Sequence, residues 1–448
     1  TYQAMGKNKE ALASYTESIN QDPGMNEVFL SRAEVYAELG QYRRAREDAE
    51  MYSSKNINNP EALYNLGIYS RMSGEPKEAE KYLNEAIALE PDDPLYRFER
   101  GFLFLITKQF DKAEEDFNKL LELAPENPLG LLGRASVYEE THKYQKALEL
   151  YNQVIKKYPD NFLAYTSRGD YYSLVKDYEE TIADFDKAIE LTSGEDESVY
   201  IDRAEKFELF GEYKQSEEDL KKALELDENN YFALMNLAVL NIKQGNREKA
   251  RQNLEKANAN SVENEIIADL YPALYYFYDR DYKEVIERTT RLKQNYLKTD
   301  MAPVEAISYY FLKDPETALK TIKFALSQDS GEPYLNIFNY IFAKKNGIDK
   351  KQELTKFLKN SEIAAWPIPV VKLYAGQISP KQFLKQLNQL KDPVSKRLIQ
   401  TEAYYYLGQF YLFNNDKNMA KKYFQQTEKS SVINEEFVLA EYELNKLK

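Results

Sequence analysis

The 448-residue sequence contains no cysteine, a single histidine and a single tryptophan. Without cysteine there is no disulfide, no thiol chemistry and no thiolate metal site, so an exported or a reducing compartment suits the chain equally. Glycine and proline are sparse at 16 each, which argues against a turn-rich β protein. No apolar run approaches the ~20 residues of a membrane-spanning helix, and the first residues lack the basic, apolar and small-residue order of a signal peptide. Tyrosine (37) and phenylalanine (22) are abundant, and the chain is 43% hydrophobic and 30% charged. Such a chain folds into a globular protein whose helices pack through aromatic side chains.

The net charge of −14 comes from the first 250 residues, while the remainder is net positive and concentrates its lysines in 341–430. A surface this acidic repels nucleic acid and anionic lipid. The basic segment reads as a solvated helical face, with a docking patch around Lys372, Lys381, Lys385 and Lys396 as the alternative.

A 34-residue periodicity organises most of the chain. Small residues precede an aromatic by three at Ala33/Tyr36, Gly101/Phe104, Ala135/Tyr138, Gly169/Tyr172, Ala204/Phe207 and Ala273/Tyr276. Twelve residues beyond most of the small positions of the repeats comes a second one, at Ala45, Ala79, Ala113, Ala147, Thr181, Ser216, Ala250 and Ala318, and Pro23, Pro91, Pro125 and Pro159 close units. Two antiparallel helices need small residues where their backbones come closest, and one such pair buries too little to stand alone, so pairs must stack. The pattern resembles the tetratricopeptide repeat over residues 1–332 and again over 401–434. The resemblance implies an all-α, right-handed superhelical solenoid of antiparallel helix pairs with a helical cap at its C-terminus. Units are expected at 26–59, 60–93, 94–127, 128–161, 162–196, 197–230, 231–265, 266–298 and 299–332. The division is then a repeat array over 1–332 whose first unit is incomplete, a degenerate repeat and Trp-Pro turn region over 333–400, and a final repeat with a capping helix over 401–448. The incomplete first unit predicts further chain upstream.

Arginine at the seventh repeat position is followed sixteen residues later by aspartate in four units: Arg32/Asp48, Arg100/Asp116, Arg168/Asp184 and Arg203/Asp219. Units with Leu66 or Leu237 at that position carry Tyr82 or Asn253 instead. These positions face each other within a hairpin, so each arginine should meet its aspartate as a structural ion pair, the guanidinium fork bonding both carboxylate oxygens. Arg134 faces Leu150 and needs another acceptor.

Beyond residue 360 the order "AAWPIPVVKLYAGQISPKQFLKQL" (364–387), then "EAYYYLGQFYLFNNDKNMAKKYFQQ" (402–426), resembles the C-terminal half of the bacterial lipoprotein family called new lipoprotein I. Its members are periplasmic, anchored to the outer membrane, and act as adaptors for cell-wall hydrolases and a protease. They carry fewer repeats, and their lipidated cysteine would have to lie upstream of residue 1. The resemblance implies a place in the bacterial cell envelope; a cytoplasmic location is the alternative. Trp366, Pro367 and Pro369 also read as a rigid turn that caps the solenoid.

No phosphate-binding loop, nucleophile elbow or paired metal ligands occur, so neither catalysis nor a cofactor nor a metal is expected. His142 sits at the turn within a repeat where other units carry Gly40, Gly74 or Gly211, and reads as a solvent-facing loop residue. The remaining function is binding. Repeat positions 2, 5, 9, 12 and 13 should line the concave side of the superhelix, placing Tyr64, Ile68, Phe98, Phe102, Leu105, Ile106 and Leu132 on an apolar floor, with Glu139, Asp170 and Glu205 in an acidic stretch after it. This floor suits a protein or peptide partner with apolar anchors and basic flanks; alternatively its residues cover a neighbouring repeat. The expected function is a non-catalytic interaction scaffold. The alternatives are a substrate-recruiting part of a larger enzyme, or a cytosolic cochaperone, the latter lacking the lysine-asparagine carboxylate clamp of related repeats.

Overall fold

The computed structural model describes residues 2, 7–56, 58–259, 267–292, 298–361 and 363–447; the repeat boundary expected near residue 265 lies outside them. The described residues form 26 helices and no strand, consecutive helices pairing as hairpins. In the regular hairpins a 13-residue helix is followed by a 14-residue one, as in Pro60–Met72 with Pro76–Leu89, Pro94–Ile106 with Phe110–Leu123, and Phe162–Leu174 with Tyr178–Leu191.

Local chemistry sets these lengths. Asn59 and Asp93 cap first helices by accepting from Ala62 N and Leu95 N, and Pro60 and Pro94 follow at a position whose N–H would be unpaired in any case. The first helix stops where a residue enters the left-handed region: Gly40, Gly74, Lys108, His142, Lys176, Gly211 and Gly245 all have φ between 58° and 78° or, at Gly74, 82°. The chain then turns back through bonds such as Gln41 N to Tyr36 O and Glu75 N to Ser70 O, both 2.8 Å.

The small positions are where helices touch. Ala33, Ala45, Ala79, Ala113, Ala135 and Ala147 are completely buried. A Cβ on Gly101 or Gly133 would stand 2.9 or 2.4 Å from Cε1 of Phe117, so this buried ring fills the space that two successive first helices leave by lacking a side chain.

The chain forms two compact units, Thr1–Glu140 with Ser261–Ala268, and Thr141–Asn260 with Asp269–Lys448. In the first, hairpins stack over clusters such as Ala33, Ala45, Ala49, Leu66 and Tyr69. In the second, the hairpins are followed by helices Pro333–Lys345, Lys351–Asn360, Ile368–Tyr374, Pro380–Leu387, Pro393–Phe413, Lys417–Glu428 and Glu435–Lys446. The 21-residue helix Pro393–Phe413 starts earlier than the repeat expected at 401, because Asp392 accepts from Val394 N and Ser395 N and Pro393 opens the helix.

These last helices fold back onto earlier hairpins of their own unit. Leu398 and Val432 form one cluster with Phe210. Tyr178 N donates to Ser395 Oγ at 3.0 Å and Ile433 N to the Tyr213 hydroxyl at 2.6 Å. The helix Glu435–Lys446 lies along the last turns of three first helices: Tyr278 donates to Glu435 at 3.2 Å, Tyr310 to Glu443 at 2.7 Å, and Lys345 pairs with Glu443 at 2.5 Å. Trp366 Nε1 and the Tyr334 hydroxyl both donate to Glu402, at 2.6 and 2.7 Å, so the Trp-Pro turn and the Glu-Ala-Tyr helix meet in the interior. Lys381 and Lys385 stay exposed on a helix whose Phe383 and Leu387 are buried.

Candidate functional site

Each predicted arginine lies against its aspartate. Arg32 holds Asp48 by Nε and Nη2, both at 2.7 Å; Arg100 holds Asp116 at 2.7 and 2.6 Å, Arg168 holds Asp184 at 2.8 and 2.7 Å, and Arg203 holds Asp219 at 2.7 Å twice. The four aspartates are buried. The bond to Asp184 raises the Arg168 pKa above its ordinary value. Arg134 donates to the Tyr138 hydroxyl at 3.1 Å. These pairs build the fold and leave recognition to the other side chains.

In the first unit, Tyr64, Ile68, Phe98, Phe102, Leu105 and Ile106 are half-buried. Phe98 and Phe102 stack with centroids 6.3 Å apart, Phe98 also lies 6.2 Å from Phe117, and the Arg71 guanidinium covers Phe102 at 5.0 Å while pairing with Glu99. Phe98 and Leu105 lean on the cluster of Phe104, Ala113, Phe117 and Val137; Tyr64 and Ile106 lean on Ala79, Leu83 and Leu103. Leu95, one turn away from Phe98, is 48% exposed. The result is an apolar groove in which Tyr64, Phe98, Leu105 and Ile106 keep one flank on the core and Phe102 rests on Phe98. Leu132 is not part of it: it is buried, on a helix drawn tight to Phe117 at Gly133. Glu139 is half-buried at the end of the helix Pro128–Glu140.

Next to Tyr64 the groove opens into a pocket of about 780 Å³ lined by Glu61, Glu90, Asp93, Tyr96 and several asparagines, among them Asn59 and Asn65. The rings of Tyr64 and Tyr96 are 5.1 Å apart. Burial, then the charges of Glu90 and Asp93, push the Tyr96 phenol up to about 12. The repeat spacing places Glu61, Tyr64 and Leu95 on this face but not Glu90 and Asp93, which come from the loop between repeats.

In the second unit the expected acidic stretch is engaged by the repeats that follow it. Asp170 pairs with Lys206 at 2.7 Å, Glu205 accepts from Asn236 at 2.9 Å, and Glu208 pairs with Lys243, whose ammonium lies 4.0 Å from the Tyr278 ring. Asp202 beside them is pushed up to about 7 by burial and by Asp170 and Glu205. His142 occupies the turn expected of it but does not face solvent, which corrects that part of the reading. Its ring is mostly buried, Nδ1 lying 3.1 Å from the Tyr144 hydroxyl and Nε2 3.1 Å from Asp329 Oδ1. The turn at 141–143 meets the turn at 329–331 within this unit, which brings solvent-facing sequence positions into contact.

Among the described residues no group of three or more histidine, aspartate or glutamate side chains could hold a metal ion, and no helix is long and apolar enough to cross a membrane.

The family model described as the tetratricopeptide repeat protein 21 N-terminal ARM repeat matches residues 44–182, and two tetratricopeptide repeat models match 200–230 with 401–427, and 232–260. None of these is an enzyme family. No curated protein is matched. Among solved structures the chain is similar to a tetratricopeptide repeat protein from Parabacteroides merdae, at 19% identity over 57% of this chain and 94% of that one with a TM-score of 0.45. It is also similar to the APC/C hetero-tetramer Cut9-Hcn1, at 13% identity over 73% of this chain and 80% of that one with a TM-score of 0.44. A third is YrrB, a TPR protein with an unusual peptide-binding site, at 24% identity over 36% and 84% with a TM-score of 0.32.

Proposed function

We propose that this chain, which carries tetratricopeptide repeats, is a non-catalytic scaffold that binds a peptide or helix of a partner protein along the apolar groove of its first unit. The observation that carries the reading is a contrast between units. In the second, the last turns of three first helices, those ending at Asp279, Phe311 and Lys345, are covered by the chain's own helix Glu435–Lys446. In the first, the stacked pair of Phe98 and Phe102 stays half-exposed beside the exposed Leu95. Aromatic side chains gathered this way are the usual anchors of an interface. The compartment we propose is the bacterial envelope, on the sequence resemblance of 364–387 and 402–426 alone.

The test is photo-crosslinking in the native host from a benzoylphenylalanine placed at Ile68 or Leu105, with Phe324, exposed on the second unit, as the control position. Adducts to one partner from the two groove positions and none from the control support the reading. Equal labelling from all three sinks it.

A further inference from the structure

We propose that the pocket beside Tyr64 receives the cationic side chain of a lysine or arginine belonging to the peptide that docks in the adjoining groove. This rests on the groove reading above and adds the charge of its ligand.

Three observations converge. The lining supplies Glu61, Glu90 and Asp93, and none of its lining residues is a lysine or arginine. The paired rings of Tyr64 and Tyr96 offer an aromatic wall, which attracts a cation at its face. The Tyr96 phenol, raised first by burial, is raised further by the charges of Glu90 and Asp93 on the same lining. Tyr64 belongs to both places, touching the Tyr96 cluster on one side and the cluster under Ile106 on the other, so a chain anchored on Phe98 and Phe102 runs past the pocket.

The second unit shows how this kind of surface holds a helix, with the opposite polarity. There Tyr278, Tyr310 and Lys345 of the groove donate to Glu435 and Glu443 of the occupying helix, and Tyr310 also accepts from that helix's Lys446, so the carboxylates at this contact come from the occupant. In the first unit Arg71 over Phe102 is paired with Glu99, and the charged side chains that line the pocket beside the apolar floor are the carboxylates Glu61, Glu90 and Asp93, so the complementary occupant carries positive charge at that end. The same argument disfavours the acidic 435–446 helix of a second copy as occupant.

The experiment is selection of a random twelve-residue peptide display library on the full chain, on the double variant E61Q/E90Q, and on F102A. Glu61 and Glu90 are exposed, so their neutralisation should leave the fold intact, which the unfolding midpoint checks. The expected outcome is that wild-type protein enriches peptides with lysine or arginine near aromatic or aliphatic residues. E61Q/E90Q should keep the apolar enrichment and lose the basic one. A wild-type-selected peptide should bind that variant about five- to tenfold more weakly, with a flatter salt dependence. Apolar enrichment without basic residues, basic enrichment that survives E61Q/E90Q, or enrichment of acidic peptides would overturn the pocket proposal and leave the groove standing. Peptides indifferent to F102A, or no enrichment at all, would overturn the groove reading as well.

Discussion

The Arg168 guanidinium donates through Nη1 to Oδ1 of Asn152 at 2.6 Å, in the second helix of the preceding repeat, while its other nitrogens hold Asp184. Arg100 reaches Asn84 and Arg203 reaches Asp186 in the same way, at 2.6 and 2.5 Å, and Arg32 reaches Thr16 at 3.1 Å. One side chain therefore ties a hairpin together and staples it to its predecessor.

That geometry sets a ranking of substitutions. Asp184→Ala strips a half-buried guanidinium of its charged acceptor and should lower stability by about 1 to 3 kcal/mol, whereas Asn152→Ala removes one bond of three and should cost about 1 kcal/mol. Replacing both Arg168 and Asp184 with leucine should recover part of the first loss. Urea unfolding of the four proteins checks the order; an Asp184→Ala midpoint equal to wild type would show the pair contributes nothing.

A deeper pair lies in the second unit. Lys345 and Glu443 are 2.5 Å apart, with side chains 9% and 4% exposed, and Tyr310 donates to the same carboxylate. Glu443→Ala leaves an ammonium buried with its acceptor gone, and a loss of about 3 to 5 kcal/mol follows. A Lys345→Met, Glu443→Leu protein should be more stable than the single variant by denaturant titration. The opposite order would mean that water reaches Lys345 and screens it.

The periodic part of this architecture was readable because each repeat restates the same packing rule: Ala79, Ala113 and Ala147 recur every 34 residues since each meets an equivalent helix. The Arg/Asp spacing was readable for the same reason. The contacts that close the second unit were not, since Tyr178 to Ser395 spans 217 residues and His142 to Asp329 spans 187, and each occurs once. Periodicity also says nothing of how far a side chain leans: Phe98 holds a groove position, yet its ring touches Phe117. Leu132, assigned to the same face, is buried altogether.

Stability should also carry a pH signature from Asp202. Its carboxyl is pushed up from 3.8 to about 7 by burial first, then by Asp170 and Glu205, with Lys206 opposing. A raised carboxyl binds its proton more tightly in the folded state, so its contribution is full below the unfolded pKa and disappears as pH rises through about 7. The stability of wild type relative to Asp202→Asn should therefore fall by about 2 to 4 kcal/mol between pH 4 and pH 7.5. Chemical denaturation of both proteins at several pH values measures it, and a pH-independent difference would place Asp202 in water.

The two groove phenylalanines should separate binding from folding. Phe98 is wedged against Phe117 and packs on the cluster with Phe104 and Val137, so Phe98→Ala opens a void and should cost about 2 kcal/mol, below the range for a fully buried ring. Phe102 touches Phe98 on one face and lies beneath Arg71 on the other; losing it should cost about 1 kcal/mol, the scale of an exposed cation–π contact. If the groove binds a partner, Phe102→Ala should lose most of the affinity for a selected peptide while melting close to wild type, since hot-spot aromatics act at the interface and Arg71 keeps Glu99 as a partner. Thermal unfolding and fluorescence titration on the same samples decide it. Two variants that melt equally early with peptide affinity intact would make both rings core, and the groove would then be only the outer flank of the repeat stack.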